Sequence, residues 1–148
     1  GSHLMEKVKI YTDGACKGNP GPGGYGCIIV QNGKTLELKG GQKNTTNNIM
    51  EMTAILVALQ HLQKPCEVEL TTDSPYVVKG MTDWISGWIR KNWVTASRQP
   101  VKNKDLWLEL KKLSDHHKVK WVWVRGHNGH PENERADVLA NQGVDELY

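Results

Sequence analysis

Residues 14–26 carry six glycines and two prolines in thirteen positions, a density that no helix tolerates. Directly before them Val8, Ile10 and Thr12 alternate with Lys9, Tyr11 and Asp13, the period of two of a strand with two different faces. The pattern predicts a strand that ends at Asp13 and a glycine-rich loop after it. Gly21, Gly23 and Gly26 satisfy G-x-G-x-x-G, but a dinucleotide fold needs a helix after that motif, and CIIV is another strand. The nucleotide reading is rejected on that ground, and no G-K-[ST] rescues it. Asp13 has a plain explanation as a turn-forming aspartate; only partners elsewhere in the chain change that.

Residues 1–4 read as an expression scar before a native start at Met5, and residues 5–148 as a single domain, since no repeat, linker or low-complexity tract divides them. The longest apolar runs fall far short of a membrane span and no signal peptide precedes Met5, so a soluble, cytoplasmic protein is expected. Cys16, Cys27 and Cys66 are odd in number and lack C-x-x-C spacing, which suggests packed thiols and neither a disulfide framework nor a structural zinc site. The net charge of +3 is unevenly placed. Residues 79–104 hold six basic side chains against Asp83 alone, threaded with Trp84, Trp88 and Trp93. Basic and aromatic side chains interleaved in this way suit a nucleic-acid backbone; the alternative is a solvated helical face whose tryptophans pack inward.

Two further strands, 27–31 and 35–39, flank Asn32-Gly33, the dipeptide that favours a type I′ hairpin. TTNNIMEM then opens a helix, with Asn48 as its cap and Glu51 three residues on, where a capping-box partner belongs. Lys64-Pro65 ends it. Glu51, Ile55, Leu59 and Leu62 share one side of that helix, so Glu51 lies on or beside the apolar stripe facing the sheet. A carboxylate placed there is costly unless something satisfies it.

Residues 67–72 form a fourth alternating strand ending at Asp73-Ser74-Pro75. Asp73 repeats the Asp13 pattern of strand, threonine, aspartate, although Asp73 or Ser74 could equally cap a helix whose first residue is Pro75. Short helices follow, then a helix with Leu106, Leu110 and Leu113 on its inner stripe. KVKWVWV, at 118–124, is almost wholly apolar after its start and predicts a central or helix-covered strand. Pro131 opens a last helix that Gly143 is expected to end. Along it Asn133, Ala136, Asp137 and Ala140 fall on one side, so Asp137 is flanked by small residues that permit close approach to the sheet; its plain alternative is a surface aspartate. His127 and His130 spell H-x-x-H, a weak zinc signal without a nearby cysteine, and a single functional histidine near the site is preferred.

Strands separated by helices imply parallel neighbours joined by right-handed crossovers, while the hairpin strands extend the sheet antiparallel. The expected fold is an α/β mixed five-stranded sheet with helices on it. In that arrangement Asp13 and Asp73 end neighbouring strands, Glu51 comes from the crossover helix and Asp137 from the last helix. Four converging carboxylates repel unless protonated or neutralised by cations. Oxygen ligands without cysteine suit Mg²⁺ or Mn²⁺ better than Zn²⁺. Two such ions about 3.5 to 4 Å apart activate water and stabilise the leaving oxygen in phosphodiester hydrolysis.

TDGACKGNPGPGGYG, TTNNIMEM, TTDSPYV and GHNGHPENERAD occur in that order over nearly the whole of residues 5–148, and in them the chain resembles the bacterial-type ribonuclease H family, the ribonucleases HI. The resemblance implies the strand order 3-2-1-4-5 with helices on both faces. It implies an endoribonuclease that hydrolyses the RNA strand of RNA/DNA hybrids by a two-metal-ion mechanism, leaving 5′-phosphate and 3′-hydroxyl ends. It further implies two Mg²⁺ ions per site, with Mn²⁺ able to substitute, and a monomer. By similarity Asp13, Glu51, Asp73 and Asp137 are the metal-binding catalytic carboxylates, and His127 assists proton transfer or product release. Cys16, Asn19, Asn47 and Asn48 match positions that contact the hybrid, including the 2′-hydroxyls that select RNA. Thr46 matches a DNA-phosphate pocket and Trp84 the DNA-strand channel, and the stretch with Arg90 and Lys91 resembles the family's basic handle.

The chain departs from the family's pattern at Ile49, where a basic residue is frequent, at Pro75, where glutamine is common, and at Ile89 and Val94 in the handle. These departures imply a weaker grip on substrate and leave the carboxylates untouched. A hybrid-binding module without catalysis would keep the basic stretch and lose a carboxylate. A structure-selective nuclease or integrase of the same fold is the stronger rival, and the asparagine-rich loops favour the hybrid.

Overall fold

A computed structural model of the chain describes residues 5–126 and 129–148. Its elements in order are β1 (Glu6–Cys16), β2 (Gly21–Gln31), β3 (Lys34–Thr45), α1 (Asn47–His61), β4 (Cys66–Thr72) and α2 (Pro75–Lys79). A π-helical turn (Gly80–Trp84) leads into α3 (Ile85–Arg90), followed by α4 (Lys104–His116), β5 (Lys118–Trp123) and α5 (Pro131–Asp145). The five strands form one sheet in the order β3-β2-β1-β4-β5. β1 runs antiparallel to β2 and parallel to β4, and β4 is parallel to β5. The Asn32-Gly33 turn has positive φ at both residues, as a type I′ hairpin demands.

The glycine-rich run is strand over most of its length, contrary to the loop expected from composition. β1 continues three residues past Asp13 and β2 already begins at Gly21. The reason lies in what packs on it: a Cβ on Gly24 or Gly26 would strike the backbone of α5 at Ala140 or Ala136. Glycine here serves close approach of helix to sheet, which composition alone cannot distinguish from turn formation. Gly143 is likewise inside α5, where a Cβ would strike the backbone of Gly40, and the helix runs on to Asp145.

Because side chains alternate along a strand, the two faces are covered by different helices. Gly14 and Gly23 face α1, at Glu51 and Met50, whereas Gly24 and Gly26 face α5. The larger core lies on the α1 side, where Val8, Ile10, Val68 and Leu70 meet Ile55 and Leu59 of α1 and Trp107 and Leu110 of α4. On α4 the deepest side chains are Trp107 and Leu110, while Leu106 and Leu113 are only partly buried against the core.

β5 is an edge strand with alternating exposure, not a central one. Val119 and Trp121 pack on the core, Lys118 and Lys120 are exposed, and Trp123 is 45% exposed at the strand's end. Its apolar run is therefore one buried face plus an exposed aromatic. α1 is capped by Thr46, whose Oγ1 accepts from the Ile49 amide at 3.2 Å, so the expected cap Asn48 falls within the first turn. The helix stops at His61, ahead of Lys64-Pro65. Ser74 caps α2, accepting from the Val77 amide, with Pro75 in the first turn.

In the basic stretch the aromatic signal divides. The ring centroids of Trp88 and Trp93 lie 6.0 Å apart in a tilted pair and those of Trp88 and Trp107 5.2 Å apart edge to face, inside an aromatic cluster that also takes in Tyr76. Trp84 stays 40% exposed, and Arg90 and Lys91 are exposed at the end of α3. The inward-packing alternative thus holds for Trp88 and Trp93, and the charges remain on the surface.

Candidate active site

The parallel ladder of β1 and β4 ends at Thr12 paired with Thr72. The next residue on each strand is an aspartate, so Asp13 and Asp73 stand side by side where the ladder runs out. Glu51 reaches the same point from the second turn of α1 because Gly14 lets that helix lie directly on β1. Carboxylate oxygens of Asp13, Glu51 and Asp73 lie within 4.8 Å of one another. Asp137, on α5, lines the same cavity of about 310 Å³ together with Asn47, Asn48, Ser74, Pro75 and Tyr76. Its backbone carbonyl accepts from Asn141 Nδ2 at 2.9 Å.

The Gly14 amide organises the pair that is most enclosed. It lies 2.9 Å from Asp13 Oδ1 and 2.9 Å from Glu51 Oε1, both of which accept from it. Glu51 is therefore no capping-box partner: its side chain turns toward β1 and away from the start of its own helix. Both carboxylates are only 3% exposed. Burial, reinforced by Glu51 and then Asp73, drives the Asp13 carboxyl far above the usual carboxylate range. Burial is also the main cause of the upward shift of Glu51, opposed by hydrogen bonding from Asp13 and the Gly14 amide and assisted by Asp73. Glu51 Oε2 is buried and takes no hydrogen bond of good geometry among the described residues.

A set of clustered, buried acid oxygens with one orphaned lone-pair site is what a hard divalent cation satisfies. The donor set is all oxygen, which favours Mg²⁺ or Mn²⁺ over thiophilic metals. Among the described residues Asp13, Glu51 and Asp73 are the group brought within ligating distance of one another. His127 lies outside the described residues. His130 occupies the position before Pro131 at the start of α5 but makes no capping bond through its side chain.

A second cavity of about 360 Å³ adjoins the first through Asn48 and Tyr76 and is lined further by Asn19, Thr46, Ile49, Trp88 and Lys102. Asn19 Oδ1 accepts from the Asn47 amide at 3.1 Å, tying the β1–β2 loop to the start of α1. The Cys16 thiol lies 3.5 Å from the Thr45 carbonyl and 3.6 Å from that of Gly21. Cys16, Asn19, Thr46, Asn47 and Asn48 are in this way gathered along one rim. Arg90, Lys91 and Trp84 stand apart from the carboxylates, on the surface of α3 and the π-helical turn. Two participants escaped the sequence reading. Tyr76, a wall of both cavities, accepts from Asn103 Nδ2 at 3.2 Å. Trp123 donates from its indole Nε1 to the Asp73 main-chain carbonyl at 3.2 Å. The alternation of β5 would have placed Trp123 on the face of Trp121, but nothing in the pattern announces a bond to a strand-end carbonyl.

The RNase H family model matches residues 5–145. A ribonuclease H of Thiobacillus denitrificans is 61% identical over 137 residues, covering 93% of each chain. In structure the chain superposes on LC9-RNase H1, described as a type 1 RNase H with the type 2 active-site motif. That match has a TM-score of 0.87 at 32% identity and covers 100% of this chain and 76% of that one. LC11-RNase H1, solved in complex with RNA/DNA hybrid, matches with a TM-score of 0.70 at 28% identity, over 95% of this chain and 98% of that one. With the 3-2-1-4-5 sheet and an acidic cluster at the end of its central parallel pair, the chain belongs to the ribonuclease H family.

Proposed function

We propose that this chain is a metal-dependent endoribonuclease that cleaves the RNA strand of RNA/DNA hybrids, leaving 5′-phosphate and 3′-hydroxyl ends. The observation that carries the reading is the cluster of Asp13, Glu51 and Asp73 oxygens within 4.8 Å, in a cavity that Asp137 also lines. Asp13, Glu51, Asp73 and Asp137 hold two Mg²⁺ ions, for which Mn²⁺ can substitute. Bound there, such ions supply Lewis acidity and lower the pKa of a water molecule into the working range. The protein's own contribution is placement. The Gly14 amide fixes one oxygen each of Asp13 and Glu51, and the buried setting keeps bulk water from screening their charge. The rim of Cys16, Asn19, Asn47 and Asn48 faces the substrate's sugar edges, where a 2′-hydroxyl distinguishes RNA from DNA. Thr46 receives a phosphate of the DNA strand, and Trp84, Arg90 and Lys91 hold that strand farther out.

In this reading the catalytic domain spans residues 5–148 and acts as a cytoplasmic monomer; among the described residues no helix is long and apolar enough to cross a membrane. The test compares labelled hybrid, duplex DNA, duplex RNA and single-stranded RNA, each with Mg²⁺ and with chelator. Cleavage confined to the RNA strand of the hybrid, and lost with chelator, is the expected result. Duplex DNA cut at a comparable rate would favour the structure-selective nuclease instead.

Replacing Arg90 and Lys91 together by alanine is expected to raise KM and flatten the salt dependence of hybrid binding, with turnover at saturation little changed. Each lost phosphate contact removes about one unit of the log–log salt slope. Ile89 and Val94, exposed beside them at 45% and 36%, supply no compensating charge. An unchanged slope would remove this surface from the substrate path.

His127 is proposed as the proton carrier, acting near the pH at which imidazole titrates. His127→Ala should lower kcat by about 10² to 10⁴-fold, the usual span for general acid–base assistance, without altering the metal requirement. His130→Ala should do much less, because that residue precedes Pro131 at a helix start. A larger loss of kcat from His130→Ala in a folded protein would reverse the two assignments.

A further inference from the structure

We propose that Trp123 is a positioning residue for Asp73, an inference that rests on the reading of Asp73 as a metal ligand. The β4–β5 ladder closes with Thr72 opposite Trp123, and Val124 N donates to the Thr72 carbonyl at 3.0 Å. Asp73 is thus the first residue beyond the ladder, where strand pairing no longer fixes the orientation of its peptide plane. The indole Nε1–H of Trp123 bonds the Asp73 carbonyl at 3.2 Å, extending control of the chain by one residue. On the other side of Asp73, the Ser74 amide donates to Thr72 Oγ1 at 3.1 Å. The side chain of Asp73 leaves a backbone held from both directions.

Packing does not account for this tryptophan. It is 45% exposed at the end of an edge strand, with Arg125 5.9 Å from its ring centroid and an open apolar hollow of Pro75, Val78 and Lys79 beside it. A leucine or phenylalanine would cover the same hollow, but neither carries a donor. Groups that orient a metal's ligands typically change metal affinity or activity by about 10 to 100-fold when removed.

The experiment measures Mn²⁺ binding by calorimetry, and kcat and KM for hybrid, on the wild type, Trp123→Phe, Val78→Ala and Asp73→Asn. Trp123→Phe keeps an aromatic ring and loses the donor. It should weaken Mn²⁺ binding and lower kcat by about 10-fold or more, with KM for hybrid unchanged, while Val78→Ala leaves both near wild type. Wild-type Mn²⁺ affinity in Trp123→Phe, or an equal loss in Val78→Ala, overturns the positioning role. Wild-type affinity in Asp73→Asn overturns the metal-ligand reading beneath it, so the two failures are distinguishable. If Trp123→Phe does not fold, the wild-type indole proton decides. Its NMR signal should exchange slowly with solvent for a half-exposed ring and shift as Mg²⁺ is added. Fast exchange with no shift overturns the proposal.

Discussion

Asp13→Asn should abolish hydrolysis in Mg²⁺, leave hybrid binding intact, and make the metal-free protein more stable at neutral pH than the wild type. Loss of activity follows from the place of Asp13 in the acidic cluster, its carboxylate within 4.8 Å of those of Glu51 and Asp73. Binding survives because the rim residues and the exposed basic surface are untouched. The gain in stability follows from the electrostatics: in the wild type without metal, Asp13 and Glu51 share a buried space that favours their protonated forms. Asparagine keeps the shape, still accepts from the Gly14 amide and carries no charge.

The pH dependence has a definite sign. Both carboxyl groups have folded-state pKa values raised above those of an unfolded chain, near 4. Between the unfolded and folded values the native state binds more protons than the unfolded state, so stability falls as pH rises. The contribution of the pair is fully present below about pH 4 and is progressively lost above it. In chelator, denaturant unfolding at pH 7 should therefore find Asp13→Asn more stable by at least about 1.4 kcal/mol, the equivalent of one pK unit. The difference should vanish near pH 3. Adding Mg²⁺ should raise the stability of the wild type more than that of the variant, since only ligands that prefer the native state stabilise it. Near-wild-type cleavage by Asp13→Asn, or a wild type no less stable than the variant in chelator at pH 7, would sink the assignment.

Asp13 and Asp73 were legible in the sequence because each follows an alternating run and a threonine, and strand period together with right-handed crossover connections brings such positions together, although β1 itself runs on to Cys16. Glu51 was legible because an acid on the apolar side of an amphipathic helix demands a partner. What could not be read was which partner each small or polar residue meets. Glycine in residues 14–26 looks the same whether it turns the chain or admits a helix, and here Gly24 and Gly26 admit α5. Thr46 and Asn48 are both good caps; the helix uses Thr46, with the Asn47 amide bonded to Asn19 of the β1–β2 loop, a contact distant in sequence. β5 reads as central or helix-covered because its hydrophobic content is that of a covered strand; Val119 and Trp121 do pack on the core, yet the strand is an edge and Trp123 spends its surface there, beside α2. Periodicity reports which face of an element is apolar and is silent about contacts between elements far apart in the chain.

Gly14→Ala is the second change expected to have a large effect, and it tests whether the site depends on how closely α1 lies on β1. A Cβ at this position would fall 2.5 Å from the Glu51 amide nitrogen, 2.7 Å from the Met50 carbonyl carbon and 3.0 Å from Met50 Cβ. Two of those three atoms are helix backbone, so no rotamer change relieves the contact, and α1 must move away from the strand. Overpacking of this kind costs about 1–3 kcal/mol in stability. The larger consequence is chemical, because the Gly14 amide holds Asp13 and Glu51 together at 2.9 Å each. Moving the helix by even a fraction of an ångström separates the two carboxylates, and a misplacement of about 1 Å in a catalytic constellation costs about 10²-fold in rate. Single-turnover cleavage should therefore fall by about two orders of magnitude or more, while the part of hybrid affinity carried by Arg90 and Lys91 at the end of α3, away from α1, changes little. Gly33→Ala provides the contrast: φ there is +73°, and nothing lies within 4 Å of the added methyl. That variant should lose about 1 kcal/mol to backbone strain and keep wild-type turnover. A Gly14→Ala protein that cleaves hybrid at the wild-type rate would mean that the close approach of α1 is a feature of packing and not of the active site.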